Sequence, residues 1–305
     1  MHNTVLARHC AFALAALTLG ASALAQGRAA PAEPEVQSYS IDTEVKLLSD
    51  RKSRGVSDTF NRPGAEITLN AAHESGFIGR LQLASVSKVI FPESNRATLL
   101  AAVGYRGGDP DGWHYGAGIA REFFPQARAT DVPTGFDEAL QPTGTATSRF
   151  HTSYLVGELG WGILNARYLH VLSRDYRGLN TSTVCAGYLP AVMAGGDPSA
   201  AFNCYGPGMR RSGGTHLLDF DVAYPLDGQT RLLAHVGLQA VRNFSVLNTV
   251  DYSVGIAHKR WGLTFGAEIT GVRVRDRSLF TAMDANGNLR KLDRTALVLS
   301  VAKQF

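Results

Sequence analysis

Thr295-Ala296-Leu297-Val298-Leu299-Ser300-Val301-Ala302-Lys303-Gln304-Phe305 closes the chain as a two-residue alternation. Successive side chains of a β-strand point to opposite sides, so Leu297, Leu299, Val301 and Phe305 share one face, with Ala296, Ser300, Ala302 and Gln304 on the other. A helix would need apolar residues every three or four positions, and that spacing is missing here and along the rest of the chain. An edge strand of a secreted β-sandwich would look the same, so the segments further back must decide the fold.

Working back from this strand, alternating segments recur at 38–50, 64–73, 77–88, 96–106, 112–123, 148–158, 161–172, 215–224, 230–241, 249–258, 261–274 and 294–305. Their connections sort into two classes. Glu74-Ser75-Gly76, residues 107–111, Leu159-Gly160, residues 225–229 and Lys259-Arg260 read as tight turns in which Gly, Asp and Pro supply the bends. Residues 51–63, 89–95, 124–147, 173–214, 242–248 and 275–293 are mostly longer. An even number of strands joined alternately by short turns and long loops describes an antiparallel transmembrane barrel, with short periplasmic turns and long extracellular loops. A sandwich has no reason to alternate in this way. The fold expected is therefore all-β, a single barrel of about a dozen strands.

The phase of each strand assigns its faces. Ala65, Ile67, Leu69 and Ala71 fall on the lipid side against Glu66, Thr68 and Asn70, and Trp261, Leu263, Phe265, Ala267 and Ile269 oppose Thr264, Glu268 and Thr270. Trp113, Tyr115, Trp161, Tyr224 and Trp261 lie near strand ends on the short-turn side, where they would form an aromatic girdle. The same phase gives a lumen lined by both signs of charge. Asp42, Glu44, Glu66, Glu122, Asp219, Asp221, Asp251 and Glu268 are its acids, Lys46, Lys88, Arg80, Arg106, Arg167 and Arg231 its bases, with His114 and His235 nearby. A dry core could not hold so many charges, whereas a hydrated lumen removes most of the cost. Segment 161–172 has a condition attached, since Asn165 and Arg167 point inward only if Leu169 does too.

At the amino terminus Arg8 and His9 precede an apolar run over 11–20 and an Ala-Leu-Ala ending at Ala25, the pattern of a secretory signal peptide at 1–25. The run is too short for a membrane helix. Cys10 follows Ala7-Arg8-His9, which lacks the small residues of a lipoprotein site. Residues 26–37, with Pro31 and Pro34, read as a leader, and 38–305 as the barrel. The remaining cysteines, Cys185 and Cys204, share the longest loop, and passage through an oxidising periplasm favours a disulfide between them over free thiols. No His stands at ligand spacing beside them, so neither a metal nor a cofactor is expected. The 305 residues carry a net charge of +4, which supports neither nucleic-acid binding nor a polybasic membrane patch.

Residues 47–58, Leu-Leu-Ser-Asp-Arg-Lys-Ser-Arg-Gly-Val-Ser-Asp, and 62–77, Arg-Pro-Gly-Ala-Glu-Ile-Thr-Leu-Asn-Ala-Ala-His-Glu-Ser-Gly-Phe, resemble the TorF-type (Gcw_chp) family of outer-membrane porins. The similarity rests on Ser49-Asp50, Arg54-Gly55, the block from His73 to Phe77, and the ending Val301 to Phe305. It implies a barrel and a pore and brings no catalytic residues. Arg51-Lys52-Ser53 is polar where the family is usually aromatic or apolar, and the cysteine loop looks like an insertion, so substrate choice does not carry over.

The expectation is an outer-membrane channel for passive diffusion of ions or small polar solutes. Its partners would be outer-membrane lipids and lipopolysaccharide, and the barrel-assembly machinery through the C-terminal strand, because Phe305 resembles the terminal residue that machinery reads. Two other classes stay open. An adhesin or receptor would act through loops 124–147 and 173–214, with Phe202 and Tyr205 as contacts. A barrel lipid hydrolase would need a Ser and His together, for which His73 with Ser75, His151 with Ser153 and His170 with Ser173 are the nearest pairs.

Overall fold

The structure is a computed structural model that describes residues 38–109, 111–137, 141–287 and 289–305. The expected signal peptide and leader lie outside these residues. Twelve strands close into a ring: β1 Tyr39–Leu48, β2 Gly64–His73, β3 Phe77–Ser85, β4 Ala97–Gly108, β5 Trp113–Phe123, β6 Thr152–Trp161, β7 Leu164–Val171, β8 His216–Pro225, β9 Thr230–Ala240, β10 Thr249–Arg260, β11 Leu263–Val274 and β12 Ala296–Gln304. Each pairs antiparallel with its sequence neighbours, and β12 returns to β1 through Glu44↔Gln304 to Leu48↔Ser300. Closure leaves no unpaired sheet edge. Both described ends of the chain lie at the end of the barrel that carries the short turns, called here the turn end; the opposite end is the loop end.

The alternation in the sequence is the alternation of the wall. Ile67, Leu69, Leu297, Leu299 and Val301 are exposed on the outside, whereas Thr68, Val298 and Ala302 are buried facing in. Leu169 and Arg167 share the inner face of β7, through their pairing with Leu217 and Asp219. Trp113, Tyr115, Trp161, Tyr224 and Trp261 are all exposed at the turn end, and Trp113 stacks on Trp161 with ring centroids 6.2 Å apart.

Two turns differ from their expected positions. The strands β6 and β7 turn at Gly162-Ile163, not at Leu159-Gly160. Gly160 lies in the wall because a Cβ there would come 1.9 Å from His114 Nε2, so this glycine is a hollow for an imidazole and not a bend. The turn after β10 is Trp261-Gly262 instead of Lys259-Arg260; φ is 53° at Trp261 and 74° at Gly262, the pair of positive values that a type I′ hairpin turn requires. The sixth strand starts at Thr152, later than the expected 148, because Arg149 pairs within an outer hairpin, Arg128–Phe136 with Pro142–Arg149.

The loops hold more structure than the sequence suggested. The cysteine loop carries three short helices, α1 Thr181–Ala186, α2 Leu189–Met193 and α3 Ser199–Tyr205, so the all-β reading holds for the barrel but not for its longest loop. Asn180 and Thr183 form a reciprocal cap on α1, and Cys185 of α1 is bonded to Cys204 of α3. Helices this short give no readable apolar period. Apolar side chains gather at the loop end, where Tyr176, Val184, Phe244, Leu247 and Phe280 pack on Tyr154, Val171 and Leu217 of the wall. A second cluster joins Phe91, Phe124, Val86 and Ala127.

Candidate functional site

Strand register places Asp42, Glu44, Lys46, Glu66, Arg80, Arg106, His114, Arg167, Asp219, Asp221, Arg231, His235, Asp251 and Glu268 on the inner side of the wall. Lys88 is not among them, because β3 ends at Ser85 and Lys88 falls in the turn beyond it. The structure surrounds part of this lumen with a cavity of about 620 Å3, touched by Asp42, Arg80, Arg106, Glu158, Arg167 and Asp219.

Two loops turn inward over this cavity by the same local device. In the first, Lys52–Ser53 pairs with Val56–Ser57 around Arg54-Gly55, and φ is 54° at Arg54 and 69° at Gly55. A Cβ on Gly55 would come 2.6 Å from Val272 Cβ, so only glycine lets this tip sit against β11. In the second, Tyr176 bridges Leu179 around Arg177-Gly178, with φ of 47° and 74°. Each tip thus carries an arginine, on a backbone that favours glycine at the following position.

The two arginines organise separate charge networks. Arg54 reaches across the ring to Asp219 of β8 with both terminal nitrogens, the longer bond at 3.0 Å. Asp219 also meets Arg167 Nη2 at 3.4 Å, and Arg167 Nη2 lies 3.7 Å from Asp221. The His235 ring continues the chain, with Nδ1 2.7 Å from Asp221 and Nε2 2.9 Å from Asp251. On the other side Arg51 joins Glu66 at 2.9 Å and Asp58 at 2.5 Å, while Arg177 joins Asp58 at 2.9 Å and Glu122 at 3.0 Å. The Tyr154 hydroxyl donates to Glu122 at 3.2 Å.

Arg177 also lies over the Phe91 and Phe124 rings, 5.4 and 5.2 Å from their centroids. Burial opposes its charge, but the carboxylates of Asp58 and Glu122 outweigh that cost and raise its pKa well above the ordinary arginine value. Burial pushes the Tyr176 phenol up to about 12. Isolated charges could not persist here; continuous pairing is what makes their burial tolerable. Arg106 stands apart from both networks, paired with Glu158 at 2.8 Å.

Sequence phase located most of the wall residues, but not Glu158 of β6, nor the loop residues Arg51, Arg54, Asp58, Tyr176 and Arg177. Two Arg-Gly dipeptides inside long loops were the available signal, since each supplies a left-handed pair for an inward turn.

Of the three Ser–His pairs, only one is in direct contact among the described residues. His73 Nδ1 lies 2.7 Å from Ser75 Oγ but also accepts from the Ser75 backbone N–H at 3.2 Å, a bond internal to an exposed turn. His151 Nδ1 instead accepts from Phe124 N. Ser173 Oγ donates to Asp175 O, and His170 faces His216. Tyr205 is buried and meets Phe136 edge-on, whereas Phe202 remains exposed.

Among solved structures, the KdgM porin is 8% identical over 87% of this chain and 98% of its own, with a TM-score of 0.41. The NanC porin is 12% identical over 86% of this chain and 98% of its own, with a TM-score of 0.43. An outer membrane channel from Pseudomonas putida F1 is 10% identical over 90% of this chain and 100% of its own, with a TM-score of 0.39. The barrel assignment rests on the strand pairing and not on these likenesses. No curated protein matches the sequence significantly. The model of Gcw_chp, described as a bacterial protein of unknown function, matches residues 32–305, and the chain belongs to that family.

Proposed function

We propose that this protein is a non-enzymatic channel of the outer membrane, passing ions or small polar solutes through a lumen narrowed by two inserted turns. The observation that carries the reading is the division of the wall into an apolar outside and a charged inside. Ile67, Leu81, Val103, Ile119, Val254 and Ile269 are exposed outward, a surface that needs lipid to cover it. The inner side holds the networks around Arg54 and Arg177, which need water or one another.

Short turns face the periplasm and long loops the exterior in barrels of this kind, which sets the orientation proposed. Mixed charge in the lumen favours neither anions nor cations strongly. The C-terminal strand is the segment offered to the assembly machinery; Phe305 is exposed, with its backbone held to Thr43 at 2.8 Å. Of the two contacts an adhesin would use, Tyr205 is buried and Phe202 is exposed, while Tyr176 and Val184 of the same loop pack onto the barrel mouth.

Conductance of the refolded protein in a planar bilayer under a salt gradient tests the proposal. Discrete, reproducible steps are expected, with ion selectivity altered by charge reversal at Glu66, Arg80 or Asp221. A folded, heat-modifiable barrel that never conducts would overturn it.

A further inference from the structure

The outer wall of β7 to β11 changes character at its loop end. Leu238, Val250, Phe220, Val236 and Tyr252 are exposed there as an apolar field. Register sets His216 beside Ala240, one step beyond the Leu218↔Leu238 pair, and Arg273 beside Val250. His170 faces His216 across the β7–β8 ladder. Arg174, Arg242 and Arg275 follow in the loops directly beyond, all exposed. A row of cationic and imidazole side chains therefore begins where the apolar field stops. Near the loop ends of β12, β1, β3 and β4 the outer face instead carries Leu297, Leu47, Leu83 and Leu99, while exposed Arg96, Arg121 and Arg294 stand singly beyond the row.

These cations have no internal answer. Among the described residues no carboxylate is in ion-pair contact with Arg174, Arg242, Arg273 or Arg275. The nearest acids in sequence are committed elsewhere, Asp175 to Arg211 at 2.9 Å and Asp276 to the Tyr188 hydroxyl at 3.0 Å. Arg242 lies along the backbone at Gly214, donating to Gly213 O at 3.4 Å, and Arg275 donates to Ser245 Oγ at 3.2 Å. The wall between them is hollowed. A depression of about 780 Å3 is lined by Tyr168, His216, Leu238, Val250, Arg273 and Arg275, and one of about 470 Å3 by His170, Arg174, Arg211, Arg242 and Asn243. Tyr168 stacks on His216 with centroids 5.9 Å apart, giving the first depression a flat side.

We propose that this row seats the headgroup of a phosphorylated glycolipid of the outer leaflet, its acyl chains lying on the apolar field below and its phosphates against Arg242, Arg273 and Arg275. Like charges gathered at one level repel unless a polyanion neutralises them, and guanidinium groups pair with phosphate through two parallel hydrogen bonds. Lipid-specific recognition by basic clusters beside a membrane surface follows the same electrostatics. The inference rests on the outer-membrane placement proposed above but not on conduction.

The test uses the full-length mature barrel in phosphatidylcholine vesicles containing lipid A, with bound lipid A counted by native mass spectrometry after mild extraction. Saturable binding is expected, lost by roughly a hundredfold in R242A/R273A/R275A given the contribution of each basic residue at a membrane surface. R242K/R273K/R275K should keep most of it, and R260A at the turn end all of it. Wild-type protein with dephosphorylated lipid A gives a second reading that needs no variant to fold, and binding should vanish. Unchanged binding by the alanine variant, equal binding of dephosphorylated lipid A, or equal binding of phosphatidylglycerol would overturn the glycolipid seat. Failure of the wild-type protein to insert into vesicles at all would instead overturn the membrane placement.

Discussion

Arg54, on the tip of a loop between β1 and β2, closes on Asp219 of β8 on the opposite side of the ring, and this contact holds the first inserted turn across the lumen. Removing Arg54 alone leaves Asp219 buried with only its weaker contact to Arg167. R54A should therefore destabilise the fold by about 3 kcal/mol, whereas R54M/D219L, which removes both charges, should cost far less. Denaturant unfolding, followed by the loss of heat-modifiable migration, gives both values. R54A should also raise single-channel conductance by freeing the turn, and an unchanged conductance would show that the turn does not narrow the path.

Gly160 and Gly157 stand three positions apart on β6 with opposite tolerances. A Cβ at Gly160 would lie 1.9 Å from His114 Nε2, while one at Gly157 meets nothing within 4 Å. G160A should cost about 1–3 kcal/mol as an overpacked site, and H114A in the same chain should recover most of it. G157A should unfold with the wild-type protein in the same denaturant series.

The Cys185–Cys204 bond closes a segment with a sequence separation of 19. In the chain-entropy model its removal costs the loop about 3 kcal/mol. C185S/C204S should leave the heat-modifiable barrel intact, because the ladders do not depend on this loop, yet expose residues 181–206 to protease. Equal cleavage rates with and without reductant would refute the stapling role.

Asp227 in the turn between β8 and β9 accepts from the Gln229 and Thr230 backbone N–H groups, both at 2.7 Å. The bond from Gln229, then those from Thr230, hold its carboxyl below the usual range. A depressed folded-state value means the stabilisation is fully present above the unfolded value of about 3.9 and is lost as pH falls through the folded one. A carbon-13 titration of the Asp227 carboxyl should show a midpoint below that of a model peptide, and a midpoint at or above it would refute the assignment. In D227N the turn should no longer respond to acid in this window.

The wall was legible because its signal is local. Leu297 and Leu299 face out, and Val298 faces in, for the same reason in sequence and in structure: the pleat alternates side chains whatever lies around it. The misplaced turns show the limit of that logic. Gly160 looks like a bend in one dimension, and only the presence of His114 on the neighbouring strand makes it a hollow. Trp261-Gly262 continues the alternation of the strand after it in one dimension, and only the positive φ at both residues shows it to be the turn.

Strand number, most of the facing, the gathering of Trp and Tyr at the turn end and the disulfide partners were thus legible in the sequence alone. The roof over the lumen was decided only by tertiary structure. Arg54 and Asp219 are 165 residues apart, and nothing near either residue specifies the other. Their meeting depends on ring closure, which brings opposite strands to face each other across a space where an unpaired charge is costly and a paired one is tolerated.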